Sequence, residues 1–182
     1  MKDKTLKFRA PWSRQLRLMT ILTCALCIGV PAIGVIVLDP GDPVAFGSMV
    51  VIPLVVLAAS AGFMVRAYTV TGDGLIIHRL GWFTRLALSS LTDVEIDPLA
   101  LQGSIRVAGN GGAFALSGLF SNEKFGSFLV YATDPKRSVV LRFADRVVVV
   151  TPEDPERFVD LINSARLATR KDAFNTWDPP NI

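Results

Sequence analysis

Few residues in this chain carry chemistry, and they are scattered. The stretch GNGGAF at 109–114 places three glycines in four positions, the texture of a loop that wraps a phosphate. Such loops need a strand before the glycines and a helix after them, whose N-terminus receives the anion. Here AFALSGLF follows with period two, and no Lys-Ser/Thr pair comes after the glycines. The cluster therefore reads as a hairpin turn, its Asn and Gly residues supplying positive φ.

Cys24 and Cys27 have the C-x-x-C spacing of redox motifs and metal half-sites. They lie inside an apolar run, no other Cys exists, and the single histidine, His78, is far along the chain. Apolar surroundings raise a thiol's pKa and leave it inert, so the pair reads as structural. Asp93, Glu95 and Asp97 alternate along one strand, a spacing open to acid–base or cation chemistry. A solvated charged face is the simpler account. His78 falls on a predicted strand as a surface or structural residue, and a Ser or Cys nucleophile would have no second histidine to call on. The expectation is a non-enzymatic chain with no catalytic residue, cofactor or metal site.

The elements around these residues divide the chain sharply. Of its 182 residues, 51% are hydrophobic, and between Arg17 and Arg66 the only charges are Asp39 and Asp42. The runs 18–38 and 44–65 are each long enough, at about 1.5 Å per residue, to cross a hydrocarbon core roughly 30 Å thick. DPGDP at 39–43 breaks the helix and reverses the chain, giving an expected transmembrane helical hairpin. VPA at 30–32 resembles a signal-peptidase site, but the apolar stretch runs on to Leu38, past the usual length of a signal core.

Residues 1–17 form an expected basic arm, with six cations against Asp3, and Arg66 follows the second run. The positive-inside bias then places both termini in the cytoplasm, at the inner membrane of a cell, with the 39–43 loop outside. Arg14, Arg17 and Arg66 become candidate membrane-interface residues. Pro31 and Pro53 read as ordinary irregularities within spans. Ala25/Gly29 and Ala58/Gly62 have the small-xxx-small spacing that lets helices approach, either the two spans or separate protomers.

From Tyr68 onward, short apolar runs alternate with turn residues. YTVT, LIIHRL, TRLALSSL, TDVEID, SIRVA, AFALSGLF, FGSFLVYAT, SVVLRF and VVVVT are nine candidate segments for the about seven or eight strands expected of an antiparallel sandwich or small barrel. TPEDPERFVDLINSARLATRK then carries Phe158, Leu161, Ile162 and Ala165 at helical spacing, with Asp154 as N-cap and Pro155 in the first position. The helix is expected to cover one opening of the sheet. A cytoplasmic domain is expected over 66–171 and an aperiodic tail over 172–182.

The segments GLIIHRLGWFTRLALSSLTDVEI (74–96) and GNGGAFALSGLFSNEKFGSFLVYAT (109–133), followed by VVLRF, VVVVTPEDPERFV and the helix, resemble the bacterial pleckstrin-homology-like domains that follow a pair of membrane spans. The resemblance covers about residues 68–166. It implies an α+β fold, a PH-like antiparallel barrel or sandwich capped by a C-terminal helix, and membrane association, with little chemistry. Phosphoinositide-binding relatives carry a basic cluster around their first hairpin, whereas this chain has TGDG there. Residues 66–182 sum to zero charge, which also argues against nucleic acid. Phosphoinositide and nucleic-acid binding are therefore not expected. The expected partners are the bilayer, through the two spans, and a protein or further copies of this chain. Trp82 and Phe83 occupy a predicted hairpin tip, either at the membrane interface or packed under the barrel.

Overall fold

The computed structural model describes residues 5–37, 43–72 and 74–175. Among them lie ten strands and three α-helices. The strand β1 (Leu6–Arg9) comes first, then helices α1 (Arg14–Val37) and α2 (Pro43–Gly62). The strands β2 (Val65–Val70), β3 (Gly74–Arg79) and β4 (Phe83–Ala87) follow. After a single 3₁₀ turn come β5 (Leu91–Ile96), β6 (Ile105–Gly111), β7 (Leu116–Asn122) and β8 (Gly126–Ala132). The chain ends with β9 (Val139–Phe143), β10 (Val147–Val150) and α3 (Pro155–Asn175).

Two sheets pack face to face. Sheet A has the order β1-β2-β3-β4, all antiparallel, and sheet B the order β5-β9-β10-β8-β7-β6. Sheet B is mixed, because β10 runs parallel to β8. The parallel pair differs from the expected all-antiparallel sandwich of about seven strands. Its cause is the return of the chain through β9, which brings β10 into the centre of the sheet between β8 and β9. Central strands buried on both faces read as continuous apolar runs, and VVVV at 147–150 is such a run.

One core lies between the sheets and under α3, with Phe8, Tyr68, Leu75, Ile77, Leu141, Val150, Phe158 and Ile162 buried. Phe158 meets Phe8 edge-to-face at 5.2 Å and Tyr68 at 6.2 Å. A second cluster, with Phe120, Phe128, Val130, Val140 and Val149, lies on the other side of sheet B. Ala100 and Leu101, from the loop before β6, cover it. The helix α3 begins as its sequence requires: Arg157 N–H donates to Asp154 Oδ1 at 3.1 Å.

The structure corrects the expected boundaries. The segment 1–17 is not wholly an arm, since Leu6–Arg9 pairs antiparallel with β2 from Leu6 opposite Val70 to Arg9 opposite Ala67. Phe8 points into the core and Lys7 and Arg9 point out, a period-two pattern hidden by the charge count. Helix α1 starts at Arg14 rather than 18, with Ser13 Oγ accepting from Leu16 N–H at 3.1 Å. Helix α2 ends at Gly62 rather than 65, because Val65 begins β2, fully buried. The C-terminal helix continues through Asn175, into the expected tail. Position 38 of the first predicted span, positions 39–42 of the predicted loop, Asp73 of TGDG and residues 176–182 lie outside the described residues.

The helices α1 and α2 pack side by side. Among the less exposed positions on α1, Leu16, Thr20, Cys24, Cys27, Pro31 and Gly34 are spaced three or four apart along one face. Both cysteines and Pro31 therefore sit on the more sheltered face of α1. The small-residue pairs do not form an internal joint: Ala25 and Ala58 are exposed, and no atom lies within 4 Å of a Cβ placed on Gly29. Gly62 instead receives Trp82, whose ring edge would lie 3.3 Å from an added Cβ.

Candidate functional site at the helix–sandwich junction

The glycine stretch ends one strand and builds a clamp. Strand β6 continues through Gly109, Asn110 and Gly111, past the expected end of SIRVA, and the turn occupies 112–115. Gly109 and Gly118 are paired across β6 and β7, with φ of 105° and 139°. A Cβ on Gly109 would lie 2.3 Å from the Ser117 carbonyl oxygen, so this pairing requires glycine. Asn110 does not take positive φ, contrary to the sequence reading; Phe114 does, at 65°.

Asn110 holds the turn and the second helix together. Its Oδ1 accepts from Gly112 N–H and Ala113 N–H, both at 3.3 Å. Its Nδ2 donates to the Ala113 carbonyl and, at 3.2 Å, to the Ser60 carbonyl in the last turn of α2. The Ser60 carbonyl also accepts from Phe63 N–H at 3.2 Å, so the Asn110 amide adds a second contact at the end of α2. On the first helix, Thr20 Oγ1 accepts from Phe114 N–H at 2.9 Å, and Trp12 meets the Phe114 ring edge-to-face at 6.4 Å. Ser13 N–H donates to the Thr133 carbonyl at 3.0 Å. One loop thus joins both helices to sheet B.

The β3–β4 tip makes the second contact. Trp82 meets Phe63 edge-to-face at 6.1 Å, and Leu80 N–H donates to the Met64 carbonyl at 3.1 Å. The tip still faces outward, with Leu80 39%, Trp82 48% and Phe83 60% exposed. Trp82 and Phe83 are therefore not packed beneath the sandwich. Arg79 lies over the Tyr131 ring at 4.4 Å and donates to Thr84 Oγ1 at 3.2 Å. Arg14, Arg17 and Arg66 are exposed around the same helix ends.

The other candidates are spent within the fold. Arg142 Nη2 donates to Glu95 Oε1 at 2.7 Å, with Asp93 at 3.8 Å from its Nε, and Lys124 donates to Asp97 at 2.6 Å. The hydrogen bond from Lys124 holds the Asp97 carboxyl below the usual carboxylate range. His78 Nε2 and Thr69 Oγ1 are 2.9 Å apart. Burial and then the Lys7 charge hold the imidazole pKa below its ordinary value. Tyr68 is fully buried; its hydroxyl donates to the Tyr131 carbonyl at 2.6 Å and accepts from Thr151 N–H at 3.2 Å. Burial pushes the phenol up to about 12.

Thr20, Asn110 and Phe114 of the junction, and β1, escaped the sequence reading. The signal for β1 was the alternation in LKFR; for Asn110 there was none, because its partner on α2 is distant in sequence.

Two packed sheets closed by a C-terminal helix are the frame on which the sequence resemblance can be judged. A family model described as Bacterial PH domain matches residues 66–166. The chain belongs to the bacterial PH domain family. No curated protein and no solved structure matches it. The PH domain match opens at the start of β2 and closes within α3, so β1 completes sheet A from outside the matched segment. Among the described residues, one helix, Arg14–Ile36, is long and apolar enough to cross a membrane. The apolar stretch of α2, Phe46–Gly62, is shorter.

Proposed function

We propose that this is a non-enzymatic inner-membrane protein that displays its PH domain in the cytoplasm for protein–protein interaction or self-assembly. In this reading α1 and α2 cross the bilayer as a hairpin, both termini are cytoplasmic, and the loop at 39–43 faces outward. The observation that carries it is the surface of the helix pair. Ile21, Leu22, Leu26, Ile28, Val30, Ile33, Val35 and Ile36 on α1 are all exposed, as are Val44, Val51, Ile52, Leu54, Val55 and Val56 on α2. So broad an apolar surface is unstable in water and ordinary in lipid. Beyond the clamp at Thr20 and Ser60, 21–37 and 43–59 each project roughly 25 Å, close to the thickness of a hydrocarbon core.

The interaction role rests on β6, an edge strand of sheet B with Ile105 and Val107 exposed. Open edges recruit extended segments. A second reading, an accessory or sensor subunit of a larger membrane enzyme or transporter complex, draws on Ala25 and Ala58, which point away from the chain's own packing and offer small-residue contacts to other membrane helices.

Topology is tested by fusing a reporter active only outside the cytoplasm to position 182 and to the 39–43 loop. Activity at the loop alone is expected; activity at position 182 defeats the orientation. Mild crosslinking in native membranes separates the two roles. Self-assembly that survives replacement of residues 14–62 by a short flexible linker, which keeps β1 and β2, supports the module, and a stoichiometric larger partner lost on Ala25→Leu or Ala58→Leu supports the subunit.

A further inference from the structure

We propose that the outer face of sheet A holds a phosphate-binding site for the headgroups of anionic phospholipids, built by Lys7, Arg9, Arg66 and His78. The inference rests on the membrane anchoring proposed above. These residues, from β1, β2 and β3, line one open cavity of about 520 Å³ with Ala10, Ala67 and Arg79, whose guanidinium turns inward onto the Tyr131 ring at 4.4 Å. The sequences of β1 to β4 contain no Asp or Glu. Among the described residues, none of the three permanent cations, Lys7, Arg9 and Arg66, has a carboxylate within ion-pair distance. The carboxylate that reaches this edge, Glu153, accepts from the backbone N–H of Arg9 at 3.0 Å. The cations thus stand together without compensation, an arrangement that like-charge repulsion disfavours until an anion arrives.

Position selects a lipid as that anion. Arg9 lies just before α1 and Arg66 just after α2, so both sit where the hairpin leaves the bilayer. Leu80, Trp82 and Phe83 stand exposed beside them, apolar and aromatic as at a headgroup boundary. A cationic side chain at an anionic membrane surface strengthens association on the order of fivefold. The N-terminal strand supplies two of the cations. It lies outside the family match and pairs with β2 rather than forming part of the β2–β3 turn TGDG, where sequence reading sought a basic cluster.

The test uses the full chain reconstituted in phosphatidylcholine bilayers containing spin-labelled phosphatidylglycerol or spin-labelled phosphatidylcholine. The wild type is expected to enrich the anionic label, and Arg9→Gln/Arg66→Gln to lose about 25-fold of that preference. Both side chains are exposed, so the variant retains the fold. Lys136→Gln/Arg157→Gln, which removes the same charge elsewhere, is expected to keep the preference. An unchanged preference in the first variant, or an equal loss in the second, overturns the site. Displacement of the label by millimolar inorganic phosphate overturns the lipid assignment. Flotation of the chain with neutral vesicles in high salt tests anchoring separately. Should that fail, the site is read by flotation on phosphatidylglycerol vesicles, which Arg9→Gln/Arg66→Gln must abolish.

Discussion

Helices α1 and α3 are similar in length and opposite in fate. The 24 residues of α1 are apolar around nearly the whole circumference, and only its first turns touch the sandwich. In the 21-residue α3, Phe158 and Ile162 are fully buried, and Val159, Leu161 and Ala165 pack partly buried against the same core. The arc of apolar surface, rather than helix length, decides which solvent a helix needs. An arc that one core can cover docks against the sheets, whereas a complete girdle requires lipid.

The widest gap between the two helices should appear on truncation. Phe158→Ala is expected to cost about 3–5 kcal/mol in the stability of the sandwich. Leu26→Ala on α1 should change it by less than about 0.5 kcal/mol. Chemical denaturation in detergent, followed by near-ultraviolet circular dichroism, compares them; equal losses would mean that α1 is also part of the core.

Alkaline pH probes the seat of α3 alone. The Tyr68 ring touches Phe158, and its phenol is raised from 10.0 to about 12. The folded state thus retains a proton that the unfolded chain releases above pH 10. The stabilisation is complete below pH 10 and lost as pH rises through about 12, amounting to about 3 kcal/mol. Hydrogen exchange should show α3 loosening over that range, and Tyr68→Phe should remove the pH dependence. A retained dependence would assign it to another group.

Asn110→Ala reverses the comparison, since it touches α2 and the turn but not α3. Loss of the Ser60 contact should cost about 1–2 kcal/mol. Faster exchange is expected at the last turn of α2 and at Phe114, with α3 unchanged. The smallest effect lies at the helix starts: Asp154→Ala should destabilise by about 1 kcal/mol. Ser13→Ala should cost less, if α1 is held by lipid along its length. Equal costs, measured by thermal unfolding, would weaken the distinction.

Local signals made much of this legible. Strand alternation, the Asp154–Pro155 start and the apolar runs placed most elements, because each depends on neighbours within a few residues. The parallel seat of β10 beside β8 could not be read, since it depends on pairing across residues 133–146. The strand β1 was hidden because Lys7 and Arg9 counted as charge while Phe8 counted for little in so short a run. In GNGGAF the turn was readable, but its grip on Ser60 and Thr20 was not, because both partners lie in apolar runs that composition assigns to lipid.

Because β1 precedes the two helices and β2 follows them, sheet A is closed by residues on both sides of the apolar pair. During synthesis Leu6–Arg9 must wait for Ala67–Val70 before it finds its partners. In a bilayer those partners meet only after an even number of crossings. A chain that inserts one helix and not the other leaves its first strand stranded across the membrane from the second. On the proposed hairpin topology Phe8 would then be missing from the core and the edge of β2 bare, and completion of the sheet would act as a proofreading step on insertion.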